Sequence, residues 1–196
     1  QDLDGDGWAD IPGYERTTLR PRLFWESENG ARALLTAGAM RESRLGGTLP
    51  GQRAPDGQPF ALTQRTERVD AGAVVDVPVR ESDRLQVRAS AMSTDHDHGY
   101  GPEQDNDTHQ TGFAEVSYAS GVGATSWLAG IAAQQDRFRS ARYAQFDYRY
   151  TVPALFVQAE QALRDDLTLS GSARWDDHST YGGHFSPRVS LLFRPD

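Results

Sequence analysis

The sequence predicts an all-β fold, an antiparallel up-and-down transmembrane β-barrel segment of about nine meandering strands that forms an open sheet if it stands alone. Three observations predict it. Apolar and polar residues alternate with period two from end to end, which is the side-chain period of a strand. Short and long polar connections alternate between these runs, as short periplasmic turns alternate with longer extracellular loops in outer-membrane barrels. No run approaches the ~18 consecutive apolar residues of a membrane helix, so any contact with lipid has to be made by strands.

The strands follow in order. Leu19, Pro21, Leu23 and Trp25 form one face of a first strand, with Thr18, Arg20 and Arg22 on the other. Ala31 to Ala39 alternate in the second, Val69 to Val79 in the third and Leu85 to Ala91 in the fourth. Ala114, Val116 and Tyr118 mark the fifth, Trp127 to Ala133 the sixth, Leu155 to Ala159 the seventh, Leu167 to Trp175 the eighth and Val189 to Phe193 the ninth. Tight turns are expected at Glu26 to Gly30, Arg80 to Asp83, Ala119 to Ala124 and Arg164 to Asp166. Long polar loops are expected at Ser43 to Gln58, Asp95 to His109, Asp136 to Asp147 and Asp177 to His184. Aromatic residues near strand ends, among them Phe24, Trp25, Tyr118, Trp127, Trp175 and Phe193, suit interfacial girdles. The chain thus divides into an acidic extracellular loop, 1–15, and barrel strands with their turns and loops, 16–196.

Composition narrows the classes further. The 196 residues are 37% hydrophobic and 24% charged, which resembles a soluble protein, but a barrel strand is half polar by construction. Nineteen Gly and ten Pro favour many turns. The absence of Cys excludes disulfides, thiolate metal sites and thiol nucleophiles. A net charge of -8 argues against nucleic acid as a partner. The first ten residues have neither the basic nor the apolar region of a signal peptide, and Met is not the first residue, so the chain reads as a fragment or processed piece.

Two clusters have metal-binding chemistry. Asp2, Asp4, Asp6 and Asp10 with Gly7 follow the spacing of a calcium loop, with Trp8 placed to add a backbone carbonyl. The closing bidentate Glu is missing, since Gly13 stands at that position, so the alternatives are Ca2+ bound in an extracellular loop or an acidic solvated turn. Farther on, His96 and His98 lie on one side of an extended chain within a stretch that also holds Asp95, Asp97, Glu103, Asp105, Asp107 and His109. Imidazole with carboxylate suits a transition metal, and solvated surface is the bland alternative. Tyr100, Tyr143, Phe146, Tyr148, Tyr150 and Tyr181 are the candidate ligand contacts, because aromatic rings give contact area at low entropic cost. No G-x-S-x-G, nucleophile–base pair or phosphate-cradling glycine loop is present, so no enzyme activity is expected.

Several segments resemble the TonB-dependent receptors of Gram-negative outer membranes. Ala154 to Asp177 is similar to that family's barrel hairpin, a strand ending in a charged periplasmic turn and a return strand closing in Arg174-Trp175-Asp176. Phe185-Ser-Pro-Arg188 with the strand after it resembles the next family strand, and Leu45 to Gly51 and Asp2 to Gly7 resemble its loops. The resemblance implies an outer-membrane receptor, surrounded by lipid, that imports a small-molecule ligand such as a ferric siderophore, cobalamin or carbohydrate. It also implies a TonB complex acting through a plug domain that the chain does not contain, and further strands to close the barrel. Arg20, Arg22, Arg32, Arg88, Glu115, Glu160, Arg174 and Arg188 would then face the lumen, against the plug or the transport path. Two other readings stay open: a soluble calcium-binding β-sandwich for adhesion or carbohydrate binding, and a passive porin.

Overall fold

The computed structural model describes residues 2–195. Period-two patterning becomes one antiparallel sheet of ten segments: β1 (Gly13–Leu19), β2 (Arg22–Glu26), β3 (Arg32–Gly47), β4 (Ala61–Pro78), β5 (Arg84–Tyr100), β6 (Glu103–Val122), β7 (Thr125–Ser140), β8 (Tyr148–Arg164), β9 (Leu167–His178) and β10 (Gly182–Phe193). The order is that of the sequence, β1-β3-β4-β5-β6-β7-β8-β9-β10, with β2 also on β3. The first expected strand is cut in two. Leu19 opposes Ala39 and Arg22 opposes Thr36, so β1 and β2 continue one register across a gap at Arg20 and Pro21. Proline lacks the N–H a ladder needs, and its carbonyl instead accepts the Ala37 amide at 3.3 Å and the Thr36 hydroxyl at 3.2 Å. Nine sheet positions are therefore filled by ten segments.

One row of directly opposed residues shows how the sheet is built. Trp25, Ala33, Val75, Val87, Val116, Ile131, Leu155, Trp175 and Phe185 cross it from β2 to β10 on one face. One residue along, on the other face, come Phe24, Leu34, Val74, Arg88, Glu115, Ala132, Ala154 and Asp176. Opposed side chains share a face, so the apolar set is contiguous. Nothing covers it: Ile131 is 58% exposed and Leu155 60%, and the buried apolar residues described are only Ala31, Ala132 and Ala154. A sandwich needs a second sheet packed on this face, and the described residues form a single layer, which overturns the β-sandwich reading.

The apolar band is bounded along the strands. On β4 it runs from Val69 to Val77, about 27 Å at ~3.4 Å per residue, or roughly 20 Å of height at the usual ~40° tilt of a barrel strand. Beyond it the same face turns polar with Glu67 and Arg65, and on β7 with Gln135 and Arg137. No helix is long and apolar enough to cross a membrane.

The upper strands also correct the loop expectations. Asp95 to His109 is strand except for Gly101 and Pro102, and His178 and His184 belong to β9 and β10. Gly101 has φ +60 while the proline ring holds Pro102 at negative φ, the sign pattern of a type II′ hairpin turn. Polarity suggests loops, but these residues extend both strands above the apolar band. The longest connection is 48–60, between β3 and β4.

Candidate ligand and metal site

Above the apolar band, the face that carries Arg88 and Glu115 lower down becomes aromatic and imidazole-rich. His96, His98 and Tyr100 occupy alternate positions near the top of β5, so all three share this face. Their rings stack in sequence, His96 on His98 at 5.4 Å and His98 near Tyr100 at 6.0 Å. Asp107 on β6 lies opposite His96 and joins both imidazoles, with Oδ1 2.8 Å from His96 Nδ1 and Oδ2 3.1 Å from His98 Nε2.

The strip continues across the sheet. His109 Nε2 lies 2.7 Å from Asp136 Oδ1 on β7, and the His109 ring meets Phe138 edge-on at 6.4 Å. Phe138 stacks on Tyr148 at 5.8 Å, and Tyr148 on Tyr150 at 4.6 Å. Tyr150 contacts His178 at 5.0 Å and Tyr181 at 6.2 Å, and those two approach each other to 4.6 Å. Of the aromatic residues singled out in the sequence, Tyr100, Tyr148, Tyr150 and Tyr181 are brought together. Tyr143 and Phe146 are not; they pair with each other at 6.3 Å in the connection after β7. Asp107, one of the acids the sequence places around the histidines, completes the strip together with Phe138 and Asp136, which the sequence alone does not single out although each falls in phase with the strand alternation.

Carboxylates on the inner face have two kinds of partner. Lower down they meet arginines: Asp70 with Arg20 at 2.7 Å, Asp76 with Arg84 at 2.8 Å, Glu115 with Arg88 at 3.6 Å and Asp176 with Arg174 at 2.8 Å. Glu42 is clasped by Arg16 and Arg44. In the strip, Asp107 and Asp136 meet imidazoles instead. Of the candidate lumen groups, Arg32 pairs with Glu26, and Glu160 accepts a hydrogen bond from Ser170. Arg22 and Arg188 make no ion pair among the described residues.

The acidic loop folds back on the 48–60 connection. Ala9 N–H donates to the Gly47 carbonyl and Leu49 N–H to that of Gly7, both at 2.8 Å, and Trp8 packs on Phe60 at 5.7 Å. Trp8 is thereby an anchor. Donor oxygens of Asp2, Asp4 and Asp10 converge within 4.8 Å, and Asp6 lies outside that group. These carboxylates also shape the loop, Asp2 accepting the amides of Gly5 at 2.7 Å and Gly7 at 3.1 Å, and Asp10 that of Leu3 at 2.7 Å. The amide bonds, that of Gly5 first, hold the Asp2 carboxyl below its ordinary pKa.

At the opposite end of the sheet, Asp83 closes the turn between β4 and β5. It accepts the hydroxyls of Tyr118 and Ser120, each at 2.6 Å, and these bonds keep its carboxyl below its ordinary pKa. A hollow of about 550 Å³ lies between Ala114, Val116, Ile131, Leu155 and Trp175, in the uncovered apolar band.

A one-layer meander, apolar on one face and polar on the other, is the wall of a β-barrel. The chain belongs to the TonB-dependent receptor family: a model described as TonB dependent receptor-like, beta-barrel, matches residues 4–196. The family is one of receptors rather than enzymes. Among solved structures, the siderophore receptor PirA from Pseudomonas aeruginosa superposes with a TM-score of 0.61 at 14% identity, over 94% of this chain and 38% of that one. At that identity the likeness is one of fold, and the chain spans 38% of the length of that receptor. No curated protein matches the sequence.

Proposed function

We propose that this chain is barrel wall in an outer-membrane receptor that imports a small-molecule ligand, a ferric siderophore first among the candidates, under the drive of the TonB complex. The single observation that carries the reading is the two-faced sheet, whose apolar face no protein layer covers and whose other face is charged and aromatic. Left in water, such a face is an aggregation liability; in a bilayer it is the lipid boundary, with Trp25, Trp127, Trp175 and Phe185 suited to the interfaces. Lipid tolerates no open sheet edge, so the wall is completed by further strands.

The ligand meets the strip from Tyr100 to Tyr181. Stacked rings on rigid strands give area without ordering cost, and the imidazoles and carboxylates between them supply direction. Arg22 and Arg188 are available to a plug domain. The siderophore as cargo is supported by the likeness in fold to PirA, a siderophore receptor.

The test is uptake by cells that express the receptor containing this segment, with iron-59 presented on a panel of siderophores. Accumulation that stops when TonB is deleted is the expected result. Accumulation that ignores TonB would point to passive diffusion through the barrel, and a receptor that folds and stays soluble without detergent would remove the membrane from the reading altogether.

A further inference from the structure

We propose that His96, His98 and Asp107 form a binding site for a divalent transition-metal ion of the zinc class, on the inner face of the wall above the apolar band. The donor atoms are His96 Nδ1, His98 Nε2 and one or both oxygens of Asp107, and they lie within 4.8 Å of one another. A metal at ~2.0–2.1 Å from each replaces the imidazole–carboxylate hydrogen bonds of 2.8 and 3.1 Å and seats itself between the rings and the carboxylate, a side-chain adjustment that leaves the strands where they are. Two neutral imidazoles and one carboxylate are the donor set that such ions take, and one that calcium, which prefers oxygen throughout, does not.

Three features separate this cluster from surface histidines that happen to be near one another. First, the ligands sit on paired strands. His96 and Asp107 are opposed across β5 and β6, and His98 follows His96 at the next position on the same face, so the backbone fixes all three. Second, Asp107 has an exposure of only 10%, and its ion-pair partners are the two imidazoles. The carboxylates lower on the same face are neutralised by arginine, and here that charge is left for another cation. Third, the rings are 26% and 22% exposed, so the site is walled by protein yet open on the side facing the barrel interior, where a fourth ligand enters.

Without metal, the carboxylate accepts N–H from both rings, His96 through Nδ1 and His98 through Nε2. Metal binding moves each ring proton to the other nitrogen, leaving a lone pair on the donor, and the carboxylate trades two hydrogen bonds for one coordinate bond. Asp105 stands opposite His98, its Oδ1 held by Ser140 Oγ at 3.0 Å and the Arg142 amide at 3.2 Å, and so borders the site without belonging to it. The site depends on the wall alone and stands or falls independently of the organic ligand the receptor carries.

The experiment is a zinc titration of the purified, metal-stripped receptor in detergent, in competition with a chromophoric chelator. Wild type is expected to take up zinc at a site that H96N/H98N weakens by at least about 10-fold, that H184N leaves unchanged, and that excess calcium does not compete for. X-ray absorption is expected to show nitrogen and oxygen neighbours at ~2.0 Å, with the imidazole signature lost in the double variant. D107N repeats the test with the hydrogen-bonding shape kept and the charge removed, should the double variant fail to fold. Equal affinity in wild type and variants, competition by calcium, or no uptake of zinc by wild type would each overturn the assignment.

Discussion

The lower and upper halves of this sheet share one ladder and one alternation but live in different solvents. Below, Val75, Val87, Val116 and Ile131 make the outward face apolar, and the inward carboxylates Asp70, Asp76, Glu115 and Asp176 are cancelled in place by arginine. Above, Glu67, Asp95 and Arg137 make the outward face polar too, while the inward face carries rings and imidazole–carboxylate contacts. Strand geometry is the same in both, so backbone pairing alone does not define the membrane. The outward side chains do, and the inward ones separate plain wall from the surface proposed for recognition.

The largest break in that comparison comes from a charge placed on the lower outward face. V87R is expected to cost about 2–4 kcal/mol in lipid-based equilibrium unfolding, against roughly 0–1 for S93R, two residues past Ala91 on the same strand and face and opposite Val69 at the edge of the band. Equal costs would mean that the band is not at the depth assigned.

Next comes the inward packing below. A Cβ at Gly130 would run into the Phe156 ring and stand 2.7 Å from the Val116 carbonyl oxygen, whereas at Gly112 nothing lies within 4 Å. G130A is expected to destabilise by about 1–3 kcal/mol and G112A by far less, read from urea midpoints.

In the upper half the effect moves from stability to binding. Y150A removes the ring that touches Tyr148, His178 and Tyr181; it should cost at most about 1 kcal/mol of stability but weaken binding of the siderophore proposed as cargo about tenfold. A loss of folding without loss of affinity would make the strip structural.

The smallest effect belongs to the turn at Asp83. Its folded pKa is lowered, so its stabilising contribution is present above the unfolded value of ~3.9 and is lost as pH falls through the folded one. Amide exchange in residues 79–83 is expected to rise below about pH 4 in wild type and to show no such step in D83N.

The sequence disclosed the sheet because its signal is local: residues two apart, such as Leu167 and Leu169, declare a face without reference to any partner. Strand ends were less legible. Asp95 to His109 is polar on both faces, so alternation of polarity disappears there even though alternation of direction continues, and strand reads as loop. The candidate site was visible in part. His96 and His98 are neighbours along the chain, but the contacts from His109 to Asp136 and from Tyr150 to His178 depend on cross-strand register, which no single run of residues encodes. Asp83 was hidden for the same reason, since its hydroxyl partners lie 35 and 37 residues away.

The two-residue turn at Gly101 and Pro102 has a consequence for how such a receptor changes its ligand over evolutionary time. Recognition side chains here stand at every second position of paired strands, so a one-residue insertion low in β5 would send His96 and His98 to the outer surface, and one in β6 would do the same to Asp107. A loop-borne surface tolerates changes of length; this one does not. Its ligand preference is therefore free to drift by substitution at alternate positions, or by paired insertions that preserve phase, and each step leaves the lipid boundary below untouched.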